Sequence, residues 1–422
     1  MIYFFVLLFC FLLAGNYAIL KNLLYPPALF VSVWLLSFIG LILSGDTLYS
    51  VSFETLIVYF YGAIAFSIGG LAVIVLRKPA KIATHVSFTP MRQAKIHRIL
   101  DIVLFVIVIG LPFYWQYVTA DVDFFDPLYF STQRVLSVQA SESSQRIFNP
   151  LNNLVVLSMF LAMALHFEND GTFSRKWRAY LAILLALLYG GLTGTKGNMV
   201  ILLLTLAFIS SIRSRKINFI ALGGVMVLVL SMFASMLLLV NYVYIDAKIS
   251  FETFRLIAVT VQNYWLGGLV AFNQIVEAPL SLASNQNLNR FFLETANSFG
   301  ASFSLPSIHA DYTPISPSQD TNVYTIYFSY FKDHGWLGVI LGMSLLGGVL
   351  TWIYGRGRRG NPLAMAFYGI NAAGIVLSVH AEHFVLGLNL YIKMLIFFYL
   401  VYYGFARLSF GKRPHLGGRR SA

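Results

Sequence analysis

Apolar residues run along this chain in long blocks, without the alternation of half-buried strands or the narrow stripe of soluble helices. A helix needs about 20 apolar residues to cross a bilayer. Eleven runs approach that length: Ile2–Leu20, Ala28–Leu43, Leu56–Leu76, Ile99–Tyr117, Leu151–Phe167, Ala179–Thr193, Gly197–Ile212, Ile217–Val240, Gly335–Tyr354, Leu363–Val379 and Val385–Phe405. The pattern predicts an all-α polytopic membrane protein of about eleven spans. Helices 1–8 would fill residues 1–240, an external loop subdomain with short helices 241–334, helices 9–11 residues 335–406, and a basic tail 407–422. The first run lacks a basic leader and a small-residue cleavage site, so it reads as a retained helix.

Composition agrees and excludes a soluble enzyme, since 58% of the 422 residues are hydrophobic and only 11% are charged. A single cysteine, Cys10, excludes an intrachain disulfide and any CxxC site. The net charge of +12 would suit a nucleic-acid binder until its placement is considered. Of the 29 Lys and Arg residues, 21 lie in alternate connections: Lys21, 77–98, 175–178, 213–216, 356–359 and the tail. Only Asp101, Glu168 and Asp170 accompany them there. Short loops rich in Lys and Arg stay in the cytoplasm. The N-terminus is therefore expected outside, the C-terminus inside and Asn241–His334 outside, and the basic charge needs no nucleic acid to explain it.

One long stretch, Asn241 to Gly338, is too polar for lipid and is the natural place for chemistry. A second external connection, Val118–Pro150, is acidic at first and then carries Arg134 and Arg146. Between Arg178 and Arg213 a short helical hairpin turns at Thr193-Gly-Thr-Lys-Gly-Asn198. Lys196 then opens a helix, where free N–H groups and the helix dipole favour phosphate. The same lysine also suits capping of the preceding helix or snorkelling to headgroups.

Further candidates carry paired readings. Residues 249–263 predict an interfacial amphipathic helix with Glu252, Arg255 and Gln262 on one face, pointing Arg255 either into a cavity or into solvent. Arg290 follows an Asn/Gln-rich turn and precedes two phenylalanines, as an anion ligand or a surface arginine. Asp333-His334-Gly335 opens a membrane helix, as a proton-accepting pair or as an N-cap. His380-Ala-Glu382-His383 has a lone carboxylate and no clear third ligand, so a hydrogen-bonded helix end is expected there and no metal site. Lys393, two turns inside the last span, needs an anionic partner or a wet cavity, and Glu382 is the nearest carboxylate in sequence.

Leu192-Thr-Gly-Thr-Lys-Gly, Tyr264-Trp-Leu-Gly-Gly-Leu-Val-Ala-Phe-Asn, Asn322-Val-Tyr-Thr and Asp333-His-Gly-Trp-Leu-Gly stand in an order that resembles the bacterial oligosaccharide repeat-unit polymerases, the Wzy-type O-antigen and capsule polymerases. Many members have Arg where Lys196 stands and Phe where His334 stands; lysine keeps the charge but loses the bidentate fork. The resemblance implies glycosyl transfer on the outer face of the inner membrane, from a polyprenyl-pyrophosphate-linked glycan to a lipid-linked repeat unit. It implies pyrophosphate contacts from Lys196, Arg255 and Arg290, and an acceptor base among Asp333, His334, His309 and Asp320. Further substrate contacts would come from Arg134, Arg146, Gln262 and Asn322. No cofactor or metal is expected, fixed cations taking a metal's place; a chain-length regulator and a flippase are the implied partners.

Two alternatives stand beside it. An O-antigen ligase has the same topology, but its external His-Asn/Ser signature is not matched here. A lipid-linked glycan flippase or transporter would show repeated halves with broken helices in corresponding positions, and this chain has one short hairpin without a counterpart.

Overall fold

The computed structural model describes residues 1–76, 90–120, 150–168, 173–192, 196–214, 217–231, 251–278, 287–305 and 312–405. In chain order these form α1 (Ile2–Leu20), α2 (Pro26–Ser44), α3 (Phe53–Leu76), α4 (Pro90–Val118), α5 (Pro150–Phe167), α6 (Phe173–Leu192) and α7 (Lys196–Ser214). Next come α8 (Phe219–Ser231), α9 (Phe251–Glu277) and α10 (Arg290–Ser298). A β1 (Thr313–Ser316) and β2 (Gln319–Thr321) hairpin leads to α11 (Tyr327–Gly357), α12 (Pro362–Val376) and α13 (Leu388–Tyr399).

Among the described residues, eight helices are long and apolar enough to span a bilayer, which makes this a multi-pass membrane protein. Three of the eleven expected spans fall outside that set. The Leu151–Phe167 run lies in α5, and the Ala179–Thr193 run lies in α6 as far as Leu192, a helix whose first turns carry Arg175, Lys176 and Arg178. The Ile217–Val240 run is described as helix only over Phe219–Ser231.

Two apolar cores sit side by side. One joins α1, α2, α3, α9 and α11 around Trp34, Tyr59, Phe66 and Tyr327; the other joins α4, α5, α6 and α13 around Phe160, Tyr189 and Tyr402. α7 and α12 contribute to both, Tyr368 facing the first core and Ile370 the second. In its apolar window α12 is 78% buried against 17% for α1, so α12 is the axle of the bundle and α1 lies at its periphery. Its start is set by Pro362 in the first turn and by Asn361, whose Oδ1 accepts from the Ala364 N–H at 2.9 Å.

The bundle has two chemically distinct ends. At one, the Arg356–Arg359 end of α11 lies beside the start of α2, with the Tyr25 and Tyr354 rings 6.4 Å apart. Arg213 donates to the Phe167 carbonyl at 3.1 Å and Arg178 pairs with Asp101 at 3.0 Å, so the described basic connections converge there. At the other end lie the turn after α2, the β hairpin, the first turns of α11 and the segment 377–387, tied together by Tyr49 N–H to Ile315 O at 2.9 Å and Ile326 N–H to Ser378 O at 2.8 Å.

The stretch expected as a polar external loop is partly core. α9 is a single 27-residue helix, and its second half passes between α2, α3 and α11 with Leu269, Val270, Ala271 and Phe272 buried. Tyr59 donates to the Leu269 carbonyl at 2.8 Å, and Trp265 Nε1 to Ser37 Oγ at 3.1 Å. The signal was the apolar Tyr264–Phe272 run with Gly267-Gly268: a Cβ on Gly268 would lie 2.8 Å from the Val379 carbonyl oxygen. The upstream amphipathic half, expected to lie on the interface, keeps Phe254, Arg255 and Leu256 exposed, and only the second half is buried in the bundle.

α3 and α11 approach at backbone distance. A Cβ at Gly69 would collide with the Ser344 carbonyl, and one at Gly347 with the Phe66 carbonyl. Small residues are what permit such contact between membrane helices. Gly347→Val is therefore expected to lower the melting temperature of the purified protein by several degrees, overpacking costing about 1–3 kcal/mol. Gly15→Ala, where nothing lies within 4 Å of the added methyl, is expected to leave it unchanged in the same thermal scan.

Candidate functional site

α11 opens at the end of the bundle opposite its basic turns, and it is not straight. Gly335 (φ 58°, ψ −146°) breaks it, leaving Tyr327–His334 as a short segment set against the long helix. Only glycine takes that conformation without strain. The break turns Asp333 inward and His334 outward: Asp333 is 5% exposed, while His334 is exposed at the bundle surface.

Asp333 is neither an N-cap nor a free base. Its Oδ1 accepts from Asn287 Nδ2 at 2.7 Å and its Oδ2 from the Leu288 N–H at 2.8 Å. Both oxygens are thus engaged in holding the turn that leads into α10. At the start of that helix Arg290 is 6% exposed, and its Nε donates to Glu294 Oε1 at 2.7 Å, one helical turn on. Its Nη1 is buried with no hydrogen-bond partner among the described residues. A buried guanidinium donor left unsatisfied is costly unless an anion completes it.

The other expected site residues are scattered. Asp320 is exposed on β2, opposite Pro314, and Asn322 follows it, half-buried. Gln262 donates to Thr47 Oγ1 at 2.8 Å across a cleft between α9 and the turn after α2. Arg255 is exposed and does not point inward. Lys196 is the first residue of α7, at the opposite end of that helix from Arg213; its side chain, like Arg134, Arg146 and His309, lies outside the described residues.

Beside this region, residues 377–387 fold back into the bundle between α12 and α13. Glu382 accepts at Oε1 from the Phe384 N–H at 2.9 Å and at Oε2 from the Val385 and Leu386 N–H groups at 2.9 and 2.7 Å, with the Tyr330 hydroxyl 3.4 Å from Oε1. The expected hydrogen-bonded helix end is therefore a carboxylate nest. Burial raises the Glu382 pKa, and the N–H groups oppose that shift. Burial lowers His380, whose Nδ1 lies 3.0 Å from the Tyr264 carbonyl, and pushes His383 down to about 3, with Nε2 buried and unpartnered among the described residues.

Sequence reasoning singled out Asp333 and Arg290 but not what joins them. The Arg290–Glu294 pair was legible as an i, i+4 spacing; the Asn287 and Leu288 contacts cross 46 and 45 residues and carry no local signal. No protein-family model, curated protein or solved structure matches the chain.

Asp333→Ala removes two hydrogen bonds to a charged acceptor, each worth about 1.5–3 kcal/mol. Hydrogen exchange over residues 287–298 is expected to accelerate in this variant and to stay at the wild-type rate in His334→Ala. The buried His383 has a pH signature: from about 3 to 6.5 the unfolded chain binds a proton there and the folded protein does not, so stability falls as pH falls through that window. The melting temperature is expected to drop between pH 7.5 and pH 5.5, a loss of ~1.4 kcal/mol at this site, and His383→Gln is expected to flatten that drop.

Proposed function

We propose that this protein is a membrane glycosyltransferase that polymerises polyprenyl-pyrophosphate-linked oligosaccharide repeat units, working on the outer face of a bacterial inner membrane. The observation that carries the reading is Arg290: a guanidinium buried beside a docked turn, with one face held by Glu294 and Nη1 left for an anion. Guanidinium forks match phosphate oxygens in geometry and charge. The convergence of basic connections at the other end of the bundle supports setting that end in the cytoplasm and this one outside.

In the proposed reaction an acceptor sugar hydroxyl oxygen attacks the donor's anomeric carbon. The new glycosidic C–O bond forms as the C–O bond to pyrophosphate breaks, its electron pair leaving with polyprenyl pyrophosphate. Arg290 neutralises the charge growing on that leaving group, and Lys196 and Arg255 are further cations for that role on the strength of the sequence alone. The acceptor's proton passes to a base. Asp333 has both oxygens committed to Asn287 and Leu288, so it positions the Arg290 turn, and the exposed His334 beside it takes the proton.

The test is reaction of the purified protein with a synthetic polyprenyl-pyrophosphate repeat unit, resolved on a gel. Wild type is expected to give a ladder spaced by one repeat. Arg290→Ala is expected to lose about 10²-fold in rate, the cost of removing a donor from a developing oxyanion, and Arg290→Lys to recover part of it. Transfer only to an added lipid A core would make the protein a ligase. Bound substrate without any product would make it a transporter.

A further inference from the structure

A cleft of about 280 Å³ lies between the turn after α2, the middle of α9 and the tip of the β hairpin. Its polar lining residues include Asp46, Thr47, Gln262, Asn263, Ser318 and Gln319. Among the described residues, no lysine or arginine lines it. Phosphate and pyrophosphate have nothing there to neutralise them, whereas carboxylate, amide and hydroxyl groups are the partners that the paired donor and acceptor capacity of sugar hydroxyls requires. Val259 and Pro317 add a small apolar patch for the C–H face of a ring. At this size the cleft falls just short of the roughly 300–1,000 Å³ typical of drug-sized ligands, which suits one sugar ring.

The walls are fixed before any ligand arrives. Gln262 is tied to Thr47 at 2.8 Å, the Tyr49 N–H to the Ile315 carbonyl at 2.9 Å, and Gln274 Nε2 to the Pro314 carbonyl at 3.0 Å. Three segments far apart in sequence are thereby held at one rim, at the same end of the bundle as Arg290. Such preorganisation lowers the ordering cost of binding a small, well-hydrated ligand.

We infer that this cleft is a subsite for one uncharged sugar ring of the glycan, separate from the anion site at Arg290. The inference rests on the glycosyltransferase reading for its biological ligand, and it adds the part of the substrate that the cations leave unread. Asp46 and the hairpin tip Ser316–Gln319 are then specificity determinants, with Gln262 bridging the two walls.

The experiment is saturation-transfer NMR on the purified full-length protein in detergent micelles, with glucose, galactose, N-acetylglucosamine and ethanolamine as separate probes. Pyrophosphate binding is followed in parallel by phosphorus NMR. At least one of the three sugars is expected to receive saturation. Asp46→Ala is expected to weaken that sugar about tenfold, the loss of a charge-assisted hydrogen bond, and Ser318→Trp, which fills the cleft from an exposed turn, to abolish it. Pyrophosphate binding is expected to be unchanged in both variants and lost in Arg290→Ala. Transfer to none of the sugars, transfer to ethanolamine alone, or sugar signals that survive Ser318→Trp would overturn the inference. Sugar binding without pyrophosphate binding would leave the cleft standing and overturn the anion site instead.

Discussion

The backbone contact between α3 and α11 is the constraint from which the rest of this molecule follows. Apolar helices gain little by leaving lipid for one another, so their association depends on close packing. Gly69 and Gly347 supply it, each pressed on a carbonyl of the opposite helix, and Gly62 makes room for the Tyr327 ring. Once α11 is locked against α3, the break at Gly335 fixes where its first turns point. Asp333 then has one place to be, and the Asn287–Arg290 turn is docked upon it.

The two ends of the bundle divide labour by charge. Basic connections gather at one end, where their cations meet backbone carbonyls, a carboxylate and aromatic faces: Arg356 sits 4.2 Å from the centre of the Trp352 ring. The opposite end is built from amides, hydroxyls and buried carboxylates, each anchored by neighbouring N–H groups. Glu382 and Asp333 share one logic: backbone and amide donors satisfy the carboxylate, which in return fixes the chain beside it. Arg290 is the exception, a buried cation with a donor still open among the described residues, and this makes it the centre of the proposed chemistry.

In the proposed reading, recognition is divided between two chemistries. The Arg290 guanidinium would take the charged end of a substrate, and a cleft with no lysine or arginine among its described lining would take an uncharged one. A lipid-linked glycan presents both, with its pyrophosphate at the membrane surface and its sugars beyond. The folded-back residues 377–387 close the space between α9, α12 and α13, His380 meeting the Tyr264 carbonyl and Ser378 meeting Trp34.

Much of this was written in the order of residues alone. Long apolar runs predict helices because a bilayer leaves the backbone no other partner than itself, and alternate basic loops predict two unlike ends. Asp333-His334-Gly335 marked the opening of a membrane helix. The sequence did not disclose that Tyr264–Phe272 would be drawn into the core, nor that Asp333 would hold Asn287 and Leu288. It gave no sign that Asp46 and Ser318 would line one cleft. Local pattern records what each residue requires of water or lipid, whereas contacts between distant segments exist only after the helices have packed, when shape decides which groups meet.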